Sequence, residues 1–152
     1  MTRAYVGLGA NLGDRESTLR AAVDALGAED GIEVVAVSEL RETEPVGVGE
    51  QPLYLIGAVV LDTTLTAREL LEALLAVELR FGRVRVPGEH DPRTLDLDLL
   101  LYGDAVIDEP GLTLPHPRLH ERRFVLEPLA ELAPGLLVPG RGTVEYLLTG
   151  VH

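Results

Sequence analysis

Apolar residues in this chain recur at two different periods, and the order in which those periods alternate admits few folds. Residues 4–9 (AYVGLG) read as a buried strand. Asn11, Gly13 and Asp14 then mark a turn into a helix on which Leu19, Ala22, Val23 and Leu26 fall at helical spacing, with Gly27 able to end it. Residues 32–38 (IEVVAVS) are a β-branched strand, followed by a long polar loop with Pro45, Gly47, Gly49 and Pro52. Residues 53–62 (LYLIGAVVLD) read as a further strand. Thr66 and Glu69 match a capping box opening a second helix, with Leu70, Leu71, Leu74, Leu75 and Leu79 on its apolar face and Gly82 as its stop. A glycine- and proline-containing arginine loop over 83–94 leads into the last core strand, 95–101 (LDLDLLL). The order β-α-β-β-α-β predicts a ferredoxin-like α+β sandwich, an antiparallel sheet with helices on one face. The remaining third predicts a short hairpin near Val106–Ile107, a proline-rich turn at Leu114–Pro117 and a helix around Leu119–Leu132. Neither an internal repeat nor a linker-like shift in composition interrupts the chain, so residues 1–152 read as a single domain.

Composition narrows the chemistry. There is no cysteine, which excludes disulfides, thiolate metal sites and thiol nucleophiles. The net charge of −12 argues against nucleic acid or an anionic membrane as partner. All 13 basic residues are arginine. A P-loop lysine and a Schiff-base lysine are therefore impossible, and any phosphate must be handled by arginine and metal. No segment approaches the roughly 20 apolar residues needed to span a bilayer. The start, MTRAYVGLGA, is an apolar run broken by glycines, unlike an export signal. A cytoplasmic location is the expectation.

The sharpest constellation is RVRVPGEHDPRTLDLDLLLYG, residues 83–103. On a strand, Asp96 and Asp98 share one face while Leu95, Leu97 and Leu99 share the other. Two such carboxylates are near enough to ligate a pair of magnesium ions about 4 Å apart, with phosphates and waters completing each octahedron. A bare D-x-D is more often only a wet acidic face. Here, however, Arg83, Arg85 and Arg93 stand just before it, and guanidinium groups grip phosphate oxygens bidentately. Arginines with paired aspartates make a site for a nucleotide–magnesium complex. GLGANLG, by contrast, lacks the third glycine of a dinucleotide fingerprint, because Leu12 stands there. Its glycines are expected to let the backbone turn tightly beneath a substrate. His90, His120 and His152 are too scattered for a zinc site.

Arg83-x-Arg85 followed by Pro92-Arg93-Thr94-x-Asp96-x-Asp98 resembles the signature of the 6-hydroxymethyl-7,8-dihydropterin pyrophosphokinase family. In register with it along the whole length are GLGANLGD at 7–14, Thr43-x-Pro45-x-Gly47, Gln51-Pro52-x-Tyr54, Glu78 with Gly82-Arg83, LTLPHPR at 112–118, and Arg122-x-Phe124 with Pro128-Leu129. The resemblance implies a monomeric enzyme with small-molecule substrates, using ATP as co-substrate and two Mg2+ ions, in folate synthesis. The acceptor hydroxyl attacks the β-phosphorus of ATP and AMP leaves. It implies Asp96 and Asp98 as metal ligands, with Asp98 the better weak base, and Arg83 and Arg93 as catalytic cations. Glu78, Arg85, Arg93, Thr113, His116 and Arg122 would contact the nucleotide. Thr43, Pro45, Val46, Tyr54 and Phe124 would hold the pterin, the two aromatics stacking on its faces.

Four positions depart from the family pattern. Ile56 replaces a usual asparagine, His90-Asp91 replaces a common tryptophan-glycine, and Leu75 replaces a frequent polar residue. An active enzyme with altered substrate binding is the expectation. Two rivals stand beside it: a two-metal nucleotidyl- or phosphotransferase with a different acceptor, and a non-catalytic binding module on the same fold.

Overall fold

The computed structural model of the chain describes residues 1–10, 15–43, 54–81 and 95–151. Its frame is an antiparallel sheet. Strand β1 (Thr2–Ala10) is followed by helix α1 (Arg15–Gly27), strands β2 (Ile32–Val37), β3 (Arg41–Thr43) and β4 (Tyr54–Thr63), helix α2 (Ala67–Arg80) and strand β5 (Asp96–Tyr102). The strand order is β2-β4-β1-β5, with β3 also paired to β4. β1 therefore lies between β4 and β5, and both pairings are antiparallel. β3 lies inside the expected polar loop. Its three residues pair with Tyr54, Leu55 and Ile56, a run too short to show periodicity.

Both long helices pack on one face. Leu19, Ala22 and Leu26 of α1 and Leu70, Leu74 and Val77 of α2 join Ala4, Val6 and Leu8 of β1 and Leu95, Leu97 and Leu99 in one core. Burying one such leucine is worth about 1.5–3 kcal/mol. The capping box at α2 is formed as expected: Glu69 N–H donates to Thr66 Oγ1, and Thr66 N–H donates to Glu69 Oε1. The expected apolar face of α2 needs correction. Each four-residue step turns a helix by about 40° beyond a full revolution, so the row of leucines spirals away from the core. Leu75 is 46% and Leu79 69% exposed, while Val77 and Glu78 are buried in their place.

The opposite face of the sheet is covered too, which the expectation of helices on one face did not include. After the hairpin β6 (Ile107–Glu109) and β7 (Leu112–Leu114) come a 3-10 turn (Leu119–Glu121) and helix α3 (Arg123–Leu132). The small ladder β8 (Leu137–Val138) and β9 (Gly142–Thr143) and helix α4 (Val144–Thr149) end the fold. Leu126 and Leu129 of α3 and Val144 of α4 pack with Tyr5, Ala58, Val60, Leu100 and Leu101 in a second core. The single expected helix over 119–132 is thus broken at Arg122, whose backbone is extended.

β5 carries a bulge. Leu101 pairs with Tyr5 and Leu99 with Val6, leaving Leu100 as an extra residue. Before the bulge Leu95, Leu97 and Leu99 face the α1–α2 layer; after it Leu100 and Leu101 both join the α3–α4 core.

Candidate functional site

Alternation on β5 puts Asp96 and Asp98 on the face opposite the α1–α2 layer, both half-buried. Cross-strand register extends this face. Asp96 pairs with Gly9, Gly9 with Ile56, and Ile56 with Arg41; one pleat along, Asp98 pairs with Gly7 and Gly7 with Ala58. Gly7 and Gly9 lie within regular β1, and neither has a positive φ. They are therefore not the tight turn expected of them; their role is the room they leave. A Cβ on Gly9 would sit 3.9 Å from Asp96 Cβ, 3.9 Å from Tyr54 Cδ1 and 4.0 Å from Ile56 Cγ2. A side-chain-free strip of β1, the trough referred to below, thus separates Tyr54 and Ile56 on one side from Asp96 on the other.

A concavity of about 330 Å³ runs along the side of β5 away from β1. Leu71 and Leu75 of α2, Leu97 and Leu99 of β5 and Leu112 of β7 give it apolar walls, and Glu78, Asp98, Thr113 and His116 give it polar groups. The edge is also where two backbone groups of β5 find partners. Leu97 N–H, between the two aspartates, donates to Glu78 Oε2 at 2.8 Å. Leu100 C=O accepts from His116 N–H at 3.0 Å. Glu78 is only 2% exposed. The sequence reading placed it as a nucleotide contact; the structure adds that it braces the strand segment carrying the aspartates.

His116 Nδ1 accepts from Arg118 N–H at 3.2 Å, so the other ring nitrogen is the donor in the neutral imidazole. Burial pushes this imidazole below its usual range, Asp98 pulls it upward, and Arg122 and Arg118 push it down again. His116, Asp98 and Arg122 are thereby drawn into one electrostatic neighbourhood. The Arg122 guanidinium carbon stands 5.6 Å from the centroid of the Phe124 ring, within cation–π range. Phe124 occupies the first turn of α3 and is half-buried.

Of the residues singled out from sequence, Asp98, Glu78, Thr113 and His116 line the edge cleft, and Asp96 and Tyr54 border the trough. Thr43 pairs in register with Tyr54. Arg83, Arg85, Arg93, Pro45, Val46 and the His90-Asp91 pair lie outside the described residues. Sequence reasoning missed the apolar wall of Leu71 and Leu112 and the bond from Leu97 to Glu78. A buried acid on an otherwise leucine-rich helix face was the available signal for the latter.

Asp96 and Asp98 are hard oxygen donors from adjacent same-face positions. Among the described residues no group of three or more potential ligands is gathered. Such a pair fits magnesium, whose coordination shell is commonly completed by phosphate oxygens and water.

These features define a mixed α/β protein with an antiparallel sheet, a carboxylate-bearing strand and an adjoining cleft. The family model for 7,8-dihydro-6-hydroxymethylpterin-pyrophosphokinase matches residues 5–134, and the chain belongs to that family. A Methylorubrum extorquens protein named 2-amino-4-hydroxy-6-hydroxymethyldihydropteridine pyrophosphokinase is 46% identical over 147 residues, covering 97% of this chain and 92% of the relative. A Pseudomonas aeruginosa protein of the same name is 46% identical over 146 residues, covering 95% and 90%. The fold is similar to that in a crystal structure of wild-type Plasmodium falciparum HPPK-DHPS with pteroate, with a TM-score of 0.75 and 13% identity. That match covers 98% of this chain but only 42% of the longer one, and carries the fold alone.

Proposed function

We propose that the Asp96–Asp98 edge of β5 is where this chain carries out its family's reaction. That reaction is transfer of pyrophosphate from ATP to the hydroxymethyl group of 6-hydroxymethyl-7,8-dihydropterin, in folate biosynthesis. The hydroxyl oxygen bonds to the β-phosphorus, the bond between that phosphorus and the α–β bridging oxygen breaks, and AMP leaves with the oxygen. The single observation that carries the assignment is the carboxylate pair set between a cleft and an aromatic-edged strip of strand. The cleft has apolar walls for a purine and polar groups for a sugar and phosphates. The strip, where Tyr54 and Asp96 face one another across Gly9, suits a flat acceptor.

Asp96 and Asp98 would hold two Mg2+ ions, which when bound neutralise phosphate charge and orient the chain of phosphates. The protein's own part is positioning and charge stabilisation. Tyr54 and Phe124 sandwich the pterin, with Thr43, Pro45 and Val46 along its edge. Thr113, Arg122 and the His116 imidazole N–H face the nucleotide, and Glu78 closes the cleft behind it. Arg83, Arg85 and Arg93 reach the phosphates from the loop, an assignment supported by the sequence motif. Asp98, beside His116, accepts the hydroxyl proton. The strand order β2-β4-β1-β5 with two crossover helices on one face supports a ferredoxin-like reading. Both cores share the one sheet, which supports treating residues 1–152 as one domain. We further propose a monomer in the cytoplasm; no helix among the described residues is long and apolar enough to cross a membrane.

The test is product analysis with ATP, magnesium and the hydroxymethyl dihydropterin. AMP and the pterin diphosphate forming one-to-one support the reading. Released pyrophosphate would point to nucleotidyl transfer, and ADP to single phosphoryl transfer; either would overturn it.

A further inference from the structure

Away from the aspartates, the acceptor face ends in an ion cluster that the reaction does not use. Arg41 on β3 stands at the far end of the row Arg41–Ile56–Gly9–Asp96. Its Nη2 lies 2.6 Å from Glu131 Oε1 and its Nη1 3.7 Å from Glu127 Oε2, both carboxylates on α3. Glu131 Oε2 also accepts from Glu39 N–H at 2.8 Å, so the backbone of the link between β2 and β3 shares the same carboxylate. Glu127 Oε1 in turn is 2.6 Å from Arg123 Nε, and Arg123 Nη1 donates to Val151 C=O at 3.1 Å.

The spacing on α3 gives this cluster a consequence. Phe124, Glu127 and Glu131 are related as i, i+3 and i+7, so they share one helical stripe. Whatever fixes the two glutamates fixes the rotation of α3 and the direction of the Phe124 ring. The apolar side chains of α3, Leu126 and Leu129, are fully buried and anchor it on the sheet from a different side of the helix. Isolated surface ion pairs contribute little to stability. A guanidinium hydrogen-bonded to one carboxylate that is itself tied to a backbone N–H, with a second carboxylate close by, is instead a geometric restraint.

We propose that Arg41 is a positioning residue for the acceptor: by joining Glu127 and Glu131 to β3 it orients α3 and sets Phe124 against the pterin. The inference rests on the reading of Phe124 as an acceptor contact. Arg68 offers an internal comparison. It bonds Glu109 at 2.8 Å and Pro110 C=O at 2.9 Å, holding the β6–β7 hairpin on the nucleotide side.

The experiment is a steady-state comparison of wild type, Arg41→Gln, Arg41→Lys, Phe124→Leu and the double variant Arg41→Gln/Phe124→Leu, with thermal unfolding run in parallel. Arg41→Gln is expected to raise the acceptor KM roughly 5-fold while the ATP KM stays within about 2-fold, and Arg41→Lys to recover part of the loss. In the Phe124→Leu background Arg41→Gln is expected to add nothing further, the signature of action through that ring. An unchanged acceptor KM in Arg41→Gln, equal rises in both KM values, or full additivity in the double variant would overturn the proposal. A Phe124→Leu variant with wild-type acceptor KM would instead overturn the reading of Phe124 beneath it.

Discussion

Gly9 is where a missing side chain bears on the proposed acceptor site. Its backbone is ordinary extended strand, so an alanine there incurs no conformational strain, and its Cβ would meet neighbours at 3.9 Å or beyond. Gly9→Ala is therefore expected to leave stability unchanged or raise it by about 0.5–1 kcal/mol, as loss of backbone freedom in the unfolded chain predicts. The same methyl group would occupy the trough beside Tyr54 and Asp96, so the acceptor KM should rise while the ATP KM does not. A stable variant with unaltered acceptor KM would show that the trough is not the acceptor site. His116 offers a second handle at this scale. Burial lowers its folded-state pKa, while the unfolded chain keeps the ordinary value of 6.5. The folded state then binds fewer protons, so its stabilising effect is present above that value and lost as pH falls through the lower folded one. Urea unfolding should show wild type losing more stability than His116→Gln on acidification from about pH 7 to about pH 5. Parallel losses would contradict the assignment.

Among the elements, β5 depends most on what lies beside it. Among the described residues it is an edge strand, and two of its backbone groups are taken up by Glu78 from α2 and by His116 from the turn after β7. Glu78→Leu removes the acceptor for Leu97 N–H and is expected to cost about 1–3 kcal/mol. It should also weaken magnesium binding, because that bond lies between the two aspartates; Glu78→Gln, which keeps an oxygen acceptor, should lose less of both. Denaturant melts and metal titration of the two variants check this, and equal behaviour of the two would contradict the bracing role. The long elements were legible in sequence because their periodicity is strong: β1, α1, β4 and the capped start of α2 all stand where the pattern placed them. The short ones were not. β3, β8 and β9 have three residues or fewer, and a side-chain period cannot be seen in so few. The break at Arg122 was hidden because the leucines on either side keep a helical spacing that tertiary packing overrides.

Across the whole molecule, the strand pattern LDLDLLL set both core and site, since leucines and aspartates alternate across one sheet. What the pattern could not show was the second helical layer. α3 and α4 cover the face on which the aspartates lie, and they leave the carboxylate end to the trough and the edge cleft. A protein with formal charge −12 that binds a polyanion must concentrate positive charge locally, and in the proposed reading its arginines and cations on Asp96 and Asp98 would be the means. Single-turnover pyrophosphoryl transfer in Asp96→Asn and Asp98→Asn, each checked for a wild-type unfolding curve, tests this directly. Loss of the chemical step by roughly 1,000-fold or more in both, with the fold intact, is the predicted result. Wild-type single-turnover rates in both variants would contradict it.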